Sequence, residues 1–476
     1  MNDYKNVCYK VLKKIKPKPH EEKHLISLAQ KTLEIVKEKA EKYQAKAILA
    51  GSITRNTWLP EKKEFDVFVL FPPNLPEKKL EEYGLLIGRE AIEQLKGKFS
   101  VEYAQHPYGS GLVEGVDIDI VPCYEVESAE EIKSAVDRTP FHVRYIEKNL
   151  PLSLSDEVRL LKQFLTANKI YGADSKTGGF SGYACELLII RYGGFIEVLK
   201  AASNWKPGEV IDVENYYKKE EYKQLHKIFK NQPLILIDPT DRNRNTTAPV
   251  TVESFLRFRK LAREFLKKPS ERFFSEKKSQ PITIRELNRI LSQRKTDLIL
   301  VKFTPPKVVP DILWPQLRRF GERLKEILEE TKYEFRVLRS GVYSNGKDLA
   351  IVLLEMEVNK LPHVQKRVGP SVFDINDSAR FLKKYSKPLV GPFVEGINWV
   401  VEVKRKFITA HEKLVDTLNK SSDILRAKGI PNYIADQLVK GFNVISENKK
   451  ILKLVQKDKE FGVFLRNYFQ KEKLSY

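Results

Sequence analysis

Residues 47–71 read AILAGSITRNTWLPEKKEFDVFVLF, and the fold of the N-terminal part is decided there. The run 47–50 (AILA) is a short strand that ends at Gly51-Ser52. The run 64–71 (EFDVFVLF) is a second strand, rich in the aromatic and β-branched residues that suit a pleated, half-buried surface. Side chains two apart on a strand share a face, so Glu64 and Asp66 stand side by side while Phe65 and Val67 point the other way. A third strand, 116–121 (VDIDIV), repeats the pattern with Asp117 and Asp119. Adjacent carboxylates repel one another unless a cation lies between them, and hard oxygen donors suit magnesium, which bridges carboxylates to nucleotide phosphates. A neighbouring strand brings a third acid to the first pair, and on pattern alone either Asp117 or Asp119 fills that place.

An ExD or DxD pair by itself is more often a solvated face than a metal site. The added specificity comes from Gly51-Ser52 just upstream. A Gly-Ser turn leaving a strand and entering a helix offers unpaired N–H groups and a hydroxyl to phosphate oxygens, and Arg55, one turn on, adds positive charge. In such a site one metal ion lowers the pKa of an attacking hydroxyl while another neutralises the triphosphate and the departing pyrophosphate. The chain has no GxxxxGK[ST], GxSxG or HExxH string, which removes P-loop, nucleophile-elbow and zincin chemistry from consideration.

Working outward, apolar residues at near-helical spacing over 20–43 and again over 80–95 give helices. The order helix, strand, turn, strand, helix, strand describes a small α/β domain that ends near residue 150. Residues 155–172 (SDEVRLLKQFLTANKIYG) open with capping residues, place Val158, Leu161 and Leu165 on one face and close near Gly172. A Gly-rich turn, Lys176-Thr177-Gly178-Gly179, leads to a second apolar helix at 183–192. Residues 234–239 (LILIDP) are extended, and 252–266 form a basic amphipathic helix, so the middle of the chain is mainly helical. From Asp297 the pattern becomes βαββ: LILVKF, a helix at 317–328, a strand at 335–343, the hairpin turn Ser344-Asn345-Gly346 and a strand at 349–358. With a further strand at 397–403 this is the ferredoxin-like or RNA-recognition arrangement, without the aromatic RNA-contact signature. Residues 409–476 read as helical and basic. The expected domains are 1–150, 151–285, 286–408 and 409–476.

Lys and Arg exceed Asp and Glu by 84 − 63 = 21 in 476 residues, and the excess is spread along the chain, which points to a polyanionic partner. Nucleic acid suits it better than membrane, because no apolar run has spanning length and the start, MNDYKNVCYK, lacks the apolar core of a signal peptide. A soluble, cytoplasmic protein is expected. Cys8, Cys123 and Cys185 form no CxxC pair and have no histidine at zinc-ligand spacing, so neither disulfides nor structural zinc are expected.

The runs 51–72 (GSITRNTWLPEKKEFDVFVLFP), 115–124 (GVDIDIVPCY) and 136–142 (VDRTPFH) closely resemble the archaeal, class I CCA-adding enzymes, tRNA nucleotidyltransferases of the polymerase β-like superfamily. The similarity continues through 156–188 (DEVRLLKQFLTANKIYGADSKTGGFSGYACELL) and 237–245 (IDPTDRNRN), and in layout through the last third of the chain. The resemblance implies an α+β multidomain fold: a polymerase β-like nucleotidyltransferase catalytic domain, a mainly helical nucleotide-binding domain, a ferredoxin-like βαββ body for RNA and a helical tail. It implies that Glu64, Asp66 and Asp119 are the catalytic, metal-binding carboxylates, with Mg2+ as the metal, and leaves Asp117 a supporting role. The superfamily commonly has Asp at the position of Glu64, and the longer side chain still supplies oxygen ligands.

By the same carry-over Gly51, Ser52 and Arg55 lie at the triphosphate or metal site, and Thr139, His142, Lys162 and Tyr171 contact the nucleotide. Each has a plainer alternative: Thr139 shaping a turn before Pro140, His142 on the surface, Tyr171 packing at a helix end. Lys162, on a helix that faces the cleft, pairs well with phosphate. Arg244 is the family's candidate for reading the incoming base, since a planar fork of donors reaches cytosine and adenine acceptors; its plainer role is a solvated loop arginine. His106, in AQHPYG, is similar to a family residue near the RNA end. The implied activity is addition of CMP, CMP and AMP in turn to the tRNA 3′ end from CTP and ATP, with pyrophosphate released and no nucleic-acid template. The implied partners are tRNA, through its acceptor end and top half, and the two nucleotides; a homodimer is one option for the oligomeric state. The competing functions are a poly(A) polymerase and a non-catalytic RNA-binding protein that keeps the transferase fold.

Overall fold

Helix α1 (Asn2–Ile15) and helix α2 (Pro19–Glu41) precede the first strand in a computed structural model that describes residues 2–103, 106–276, 279–330 and 333–474. The buried residues of α2 (Leu25, Leu28, Ala29, Thr32, Ile35, Val36, Ala40) recur three and four apart, the spacing that makes one apolar stripe on a 3.6-residue helix. Next come β1 (Lys46–Ala50), β2 (Glu64–Phe71), α3 (Glu77–Gln94), β3 (Lys98–Tyr103), β4 (Pro107–Val113) and β5 (Val116–Tyr124). These strands form one sheet in the order β1-β2-β5-β4-β3, with β2 and β5 parallel and the other neighbours antiparallel. The stripe of α2 and the buried face of α3 share a core with Phe65, Val67, Ile118 and Ile120. Because side chains alternate, Glu64, Asp66, Asp117 and Asp119 project from the opposite face. The sequence reading has no strand between α3 and β5, whereas the structure has the β3–β4 hairpin. Its second strand, PYGSGLV, lacks a β-branched or aromatic run, and its glycines are needed for contact: a Cβ on Gly109 would lie 3.0 Å from Gly88 of α3.

The chain continues through α4 (Thr139–Asn149), α5 (Ser155–Ala167), α6 (Gly182–Tyr192), α7 (Phe195–Asn204), β6 (Glu209–Asp212), α8 (Tyr222–Ile228), β7 (Leu234–Asp238), β8 (Asp241–Asn245) and α9 (Val252–Lys267). The helices enclose an aromatic core in which Phe164 stacks on Phe273 and meets Phe195, Phe258, Phe265 and Phe274 edge-on. Truncating such a ring to alanine costs about 3–5 kcal/mol. α1 joins this core through Val11, which explains why a basic segment with two prolines after it folds as a helix. Strands β6, β7 and β8 make a small sheet, so the middle of the chain is less purely helical than its periodicity predicts.

Residues 1–277, with 473–476, make one compact unit, and 278–472 make a second. In the second unit α10 (Ile284–Arg294) leads to β9 (Asp297–Phe303), α11 (Pro310–Glu329), β10 (Arg336–Ser344) and β11 (Ala350–Val358), the expected βαββ. Then follow β12 (Val364–Ser371), α12 (Ile375–Lys384), β13 (Val390–Glu395), β14 (Asn398–Lys404), α13 (Ala410–Leu418), α14 (Ser422–Ala427), α15 (Asn432–Lys440), β15 (Phe442–Ile445), α16 (Asn448–Lys457) and α17 (Lys459–Phe469). The expected extra strand near 397–403 exists as β14, but it pairs with β12 and β13 in a separate sheet. The fourth strand of the ferredoxin-like sheet is β15, antiparallel to β9, which gives the order β10-β11-β9-β15. A four-residue strand inside a helical, basic stretch leaves little periodic signal. No helix among the described residues is long and apolar enough to cross a membrane.

Candidate active site

Asp66 and Asp119 are register partners on β2 and β5, and Glu64 is the partner of Asp117. Adjacent strands lie ~4.8 Å apart, so the four carboxylates crowd one patch of the sheet. Glu64, Asp66 and Asp119 are half-buried, while Asp117 is exposed. Burial raises the Asp66 carboxyl, and the charges of Asp119 and Glu64 add to it, outweighing Lys62 and Arg55 and pushing it up to about 7. Asp119 is raised by burial as well. A hydrogen bond from Ser110, its register partner on β4, opposes this, and Glu64, Asp117 and Glu102 reinforce it. Beside them the Tyr108 phenol is pushed up to about 12, by burial and then by Asp119. A cluster of hard oxygens that resists ionisation in this way fits a divalent cation, whose charge relieves the repulsion.

Gly51 is required by the same carboxylates. β1 ends with Ala50 opposite Asp66; Gly51 then takes φ +88°, and a Cβ there would lie 3.0 Å from Asp66 Oδ2. The chain does not enter a helix at this point, contrary to the sequence reading. Residues 52–56 are successive turns, closed by the Asn56 N–H to Ile53 O (3.2 Å) and the Thr57 N–H to Ser52 O (2.9 Å), and Asn56 has φ +52°. The left-handed Asn56 stops any helical run. One face of α5 holds the loop: Ser155 Oγ donates to Arg55 O (2.9 Å), Arg159 Nε to Trp58 O (3.1 Å), and Lys162 Nζ to Thr57 O (3.3 Å) and Thr57 Oγ1 (3.1 Å). Ser155, Arg159 and Lys162 are four and three residues apart, and so line one side of the helix.

Arg55, Thr57 and Lys162 converge on Glu186 of α6, which is 1% exposed. Arg55 Nε lies 3.2 Å from Oε1 and its terminal nitrogen 3.1 Å from Oε2; Thr57 donates to Oε1 at 2.8 Å; Lys162 Nζ is 3.6 Å away. Burial alone would raise the Glu186 carboxyl, but Lys162 and Arg55 outweigh it and hold it below its ordinary range. Burial lowers Lys162 despite Glu186. Tyr171 reaches the same corner. A Cβ built on Gly182 would lie 3.2 Å from the Tyr171 hydroxyl and 3.6 Å from Lys162 Nζ. The Tyr171 phenol is raised, by burial first, with a contribution from Glu64; Arg55 in turn acts on Asp66. The carboxylate patch and this cationic corner thus lie within electrostatic reach of each other.

A third group forms around Asp238, at the end of β7. His142 Nε2 is 2.9 Å and the Arg244 guanidinium 2.7 Å from Oδ2, and the His142 ring stacks on Tyr183 at 3.9 Å. Thr139 is the first residue of α4, the helix that carries His142. His106 is drawn elsewhere: it is 6% exposed, and its Nδ1 lies 3.4 Å from both Glu77 and Glu81 of α3. The ligand atoms of His106, Glu77 and Glu81 lie within 4.8 Å of one another, close enough to share a metal ion. Ala104 and Gln105, which precede it in its motif, lie outside the described residues.

The sequence reading names neither Glu186 nor Asp238, nor Thr57, Tyr108, Ser110, Arg159 and Tyr183. For the two hubs a signal exists: Glu186 is the lone acid of a helix, YACELLIIRY, whose only other charge is Arg191 in its last turn, and Asp238 ends a fully buried strand, LILID. An acid enclosed by apolar neighbours needs partners, so it marks a site or a structural pair.

Three family models match the chain: nucleotidyltransferase domain over residues 29–142, tRNA nucleotidyltransferase second domain over 156–275, and CCA-adding enzyme C-terminal domain over 294–447. A CCA-adding enzyme of Methanosarcina mazei is 38% identical over 463 residues, 96% of this chain and 97% of that protein. One from Methanocaldococcus jannaschii is 37% identical, covering 90% of this chain and 93% of that protein. One from Archaeoglobus fulgidus is 39% identical, covering 77% and 79%.

Proposed function

Because the chain belongs to the CCA-adding enzymes, a family of tRNA nucleotidyltransferases, we propose that it adds C, C and A in turn to the 3′ end of tRNA, using CTP and ATP and releasing pyrophosphate each time. The observation that carries this is identity of 36–38% across nine-tenths or more of the chain, in a protein whose acids Asp66 and Asp119 stand in register. In each addition the terminal 3′ oxygen bonds to the α-phosphorus of the nucleotide and the bond from that phosphorus to the bridging oxygen of pyrophosphate breaks. Glu64, Asp66 and Asp119 are the residues that would hold Mg2+, which supplies charge neutralisation at the phosphates and activation of the attacking hydroxyl.

The chain's own cations do the rest. Arg55 and Lys162, fixed on Glu186, take the triphosphate, and a charge held in place before the substrate arrives loses nothing to reorganisation. Ser52 and the turn N–H groups face the same phosphates across Gly51. Tyr171 packs beside Lys162 against the nucleotide, with Thr139 and His142 on α4. Arg244 reads the base. Asp117, the exposed member of the acidic patch, supports Asp119. His106 takes the RNA end, and the diffuse positive charge grips tRNA phosphates. Domains 1–150 and 151–285 carry the chemistry and the nucleotide, and 286–408 and 409–476 the RNA.

The test is incubation with tRNA lacking its CCA end, magnesium and labelled CTP or ATP. Labelled tRNA is expected, and none with Asp66→Ala. ATP alone with a generic RNA separates the alternatives: long tails mean a poly(A) polymerase, and RNA binding with no incorporation means a non-catalytic protein.

A further inference from the structure

Asp238 is 0% exposed and receives donors from four elements. Its Oδ2 accepts from His142 Nε2 of α4 (2.9 Å) and from the Arg244 guanidinium of β8 (2.7 Å). Its Oδ1 accepts from the Tyr183 hydroxyl of α6 (3.1 Å) and from the N–H (2.9 Å) and hydroxyl (2.8 Å) of Thr240, in the turn after β7. Burial would raise this carboxyl, but the His142 hydrogen bond and charge, the Thr240 N–H and the Arg244 charge keep it well below its ordinary range. It therefore stands as a fixed anion, with both oxygens surrounded by donors.

The arrangement constrains the two residues read as nucleotide contacts. Arg244 has 36% of its side chain exposed, and a surface arginine at that exposure ordinarily samples many rotamers. Here one terminal nitrogen is anchored on a buried carboxylate, which restricts where the guanidinium can go and leaves Nε and the other terminal nitrogen with no partner among the described residues. The same oxygen takes His142 Nε2–H, which leaves Nδ1 outside that bond, and Tyr183 restrains the ring's tilt by stacking at 18°. A base is read by the placement of such donors and acceptors.

We propose that Asp238 is the specificity-positioning residue of the nucleotide site, locking Arg244 and His142 into the one geometry that accepts cytosine and adenine and rejects uracil and guanine. The proposal rests on Arg244 as the base reader. Asn at 238 is diagnostic because its amide must face donors on one side or the other. It keeps the shape and loses both the charge and an acceptor.

The experiment compares kcat/KM for CTP against UTP on tRNA lacking CCA, and for ATP against GTP on tRNA ending in CC, in the full-length protein. Asp238→Asn is expected to lower both ratios at least about tenfold, the scale of one positioned hydrogen bond, with KM for tRNA within about twofold of the parent. In an Arg244→Ala background the same substitution should lower the ratios only by what His142 contributes, less than in the parent, and an equal loss in the two backgrounds overturns the proposal. Unchanged ratios in Asp238→Asn, or equal loss with all four nucleotides, overturn the proposal. If Arg244→Ala itself keeps the parental ratios, the base-reader assignment is wrong and the proposal falls with it; if Arg244→Ala loses them while Asp238→Asn does not, only the proposal falls. Should Asp238→Asn not fold, Tyr183→Phe, which removes the hydroxyl that donates to Asp238 Oδ1, must lower the ratios at least about twofold, and its failure to do so is equally decisive.

Discussion

Replacing Asp66 with asparagine should make the metal-free protein more stable while abolishing its chemistry. In the folded chain the Asp66 carboxyl rises from its ordinary 3.8 to about 7, because it is buried beside Asp119 and Glu64. The folded state therefore holds this proton more tightly than the unfolded chain. Stability contributed by the group is greatest below pH ~4, is lost as pH rises from ~4 to ~7, and is fully lost above that. At 1.36 kcal/mol per pH unit the rise corresponds to ~4 kcal/mol, and water reaching the half-buried site reduces the effect to ~2 kcal/mol. Asparagine keeps the shape and never ionises, so at pH 8.5 in EDTA the Asp66→Asn protein should melt ~4–8 °C above the parent in the transition of the N-terminal unit. Magnesium should raise the melting temperature of the parent and close much of the gap. The assay is thermal unfolding of both proteins from pH 5 to pH 8.5, with EDTA and with magnesium. A gap that does not widen with pH, or an Asp66→Asn protein less stable at pH 8.5, refutes the electrostatic account of the site.

Glu186→Gln removes the anion that gathers Arg55 and Lys162; KM for CTP and ATP should rise about tenfold with KM for tRNA within about twofold, and equal changes in both would show that Glu186 is only structural. Gly51→Ala puts a Cβ 3.0 Å from Asp66 Oδ2 at φ +88°, so kcat should fall at least about tenfold with ~1–3 kcal/mol lost in stability; wild-type turnover would show that the turn tolerates a side chain. With a formal charge of +21, tRNA affinity should drop at least about tenfold between 50 and 200 mM salt in a filter-binding titration, and a flat response would contradict phosphate-dominated contact.

The strand carrying Glu64 and Asp66 was legible because alternation on a β-strand has period two and its apolar half is buried almost without exception. The same arithmetic left Asp117 and Asp119 equal candidates for the third acid; the resemblance chose Asp119, and the register sets it opposite Asp66. What escaped is non-local. Gly51-Ser52 reads as a strand-to-helix turn, yet the loop is shaped by Ser155, Arg159 and Lys162 about a hundred residues on, and no local pattern encodes that. Glu186 and Asp238 were passed over for the opposite reason. Each lies in an apolar stretch that reads as core, and its partners come from other elements. In the second unit, Phe442–Ile445 is too short to stand out from a helical surround, and only its pairing with β9 reveals a strand.

The most direct test is to sequence, at single-nucleotide resolution, the 3′ ends made from a tRNA that lacks its terminal trinucleotide, with all four nucleoside triphosphates and magnesium present. The expected product is CCA with extension stopping there, and no product from Asp119→Asn. Homopolymeric A tails, random additions, or unextended tRNA from the parent protein would each contradict the assignment.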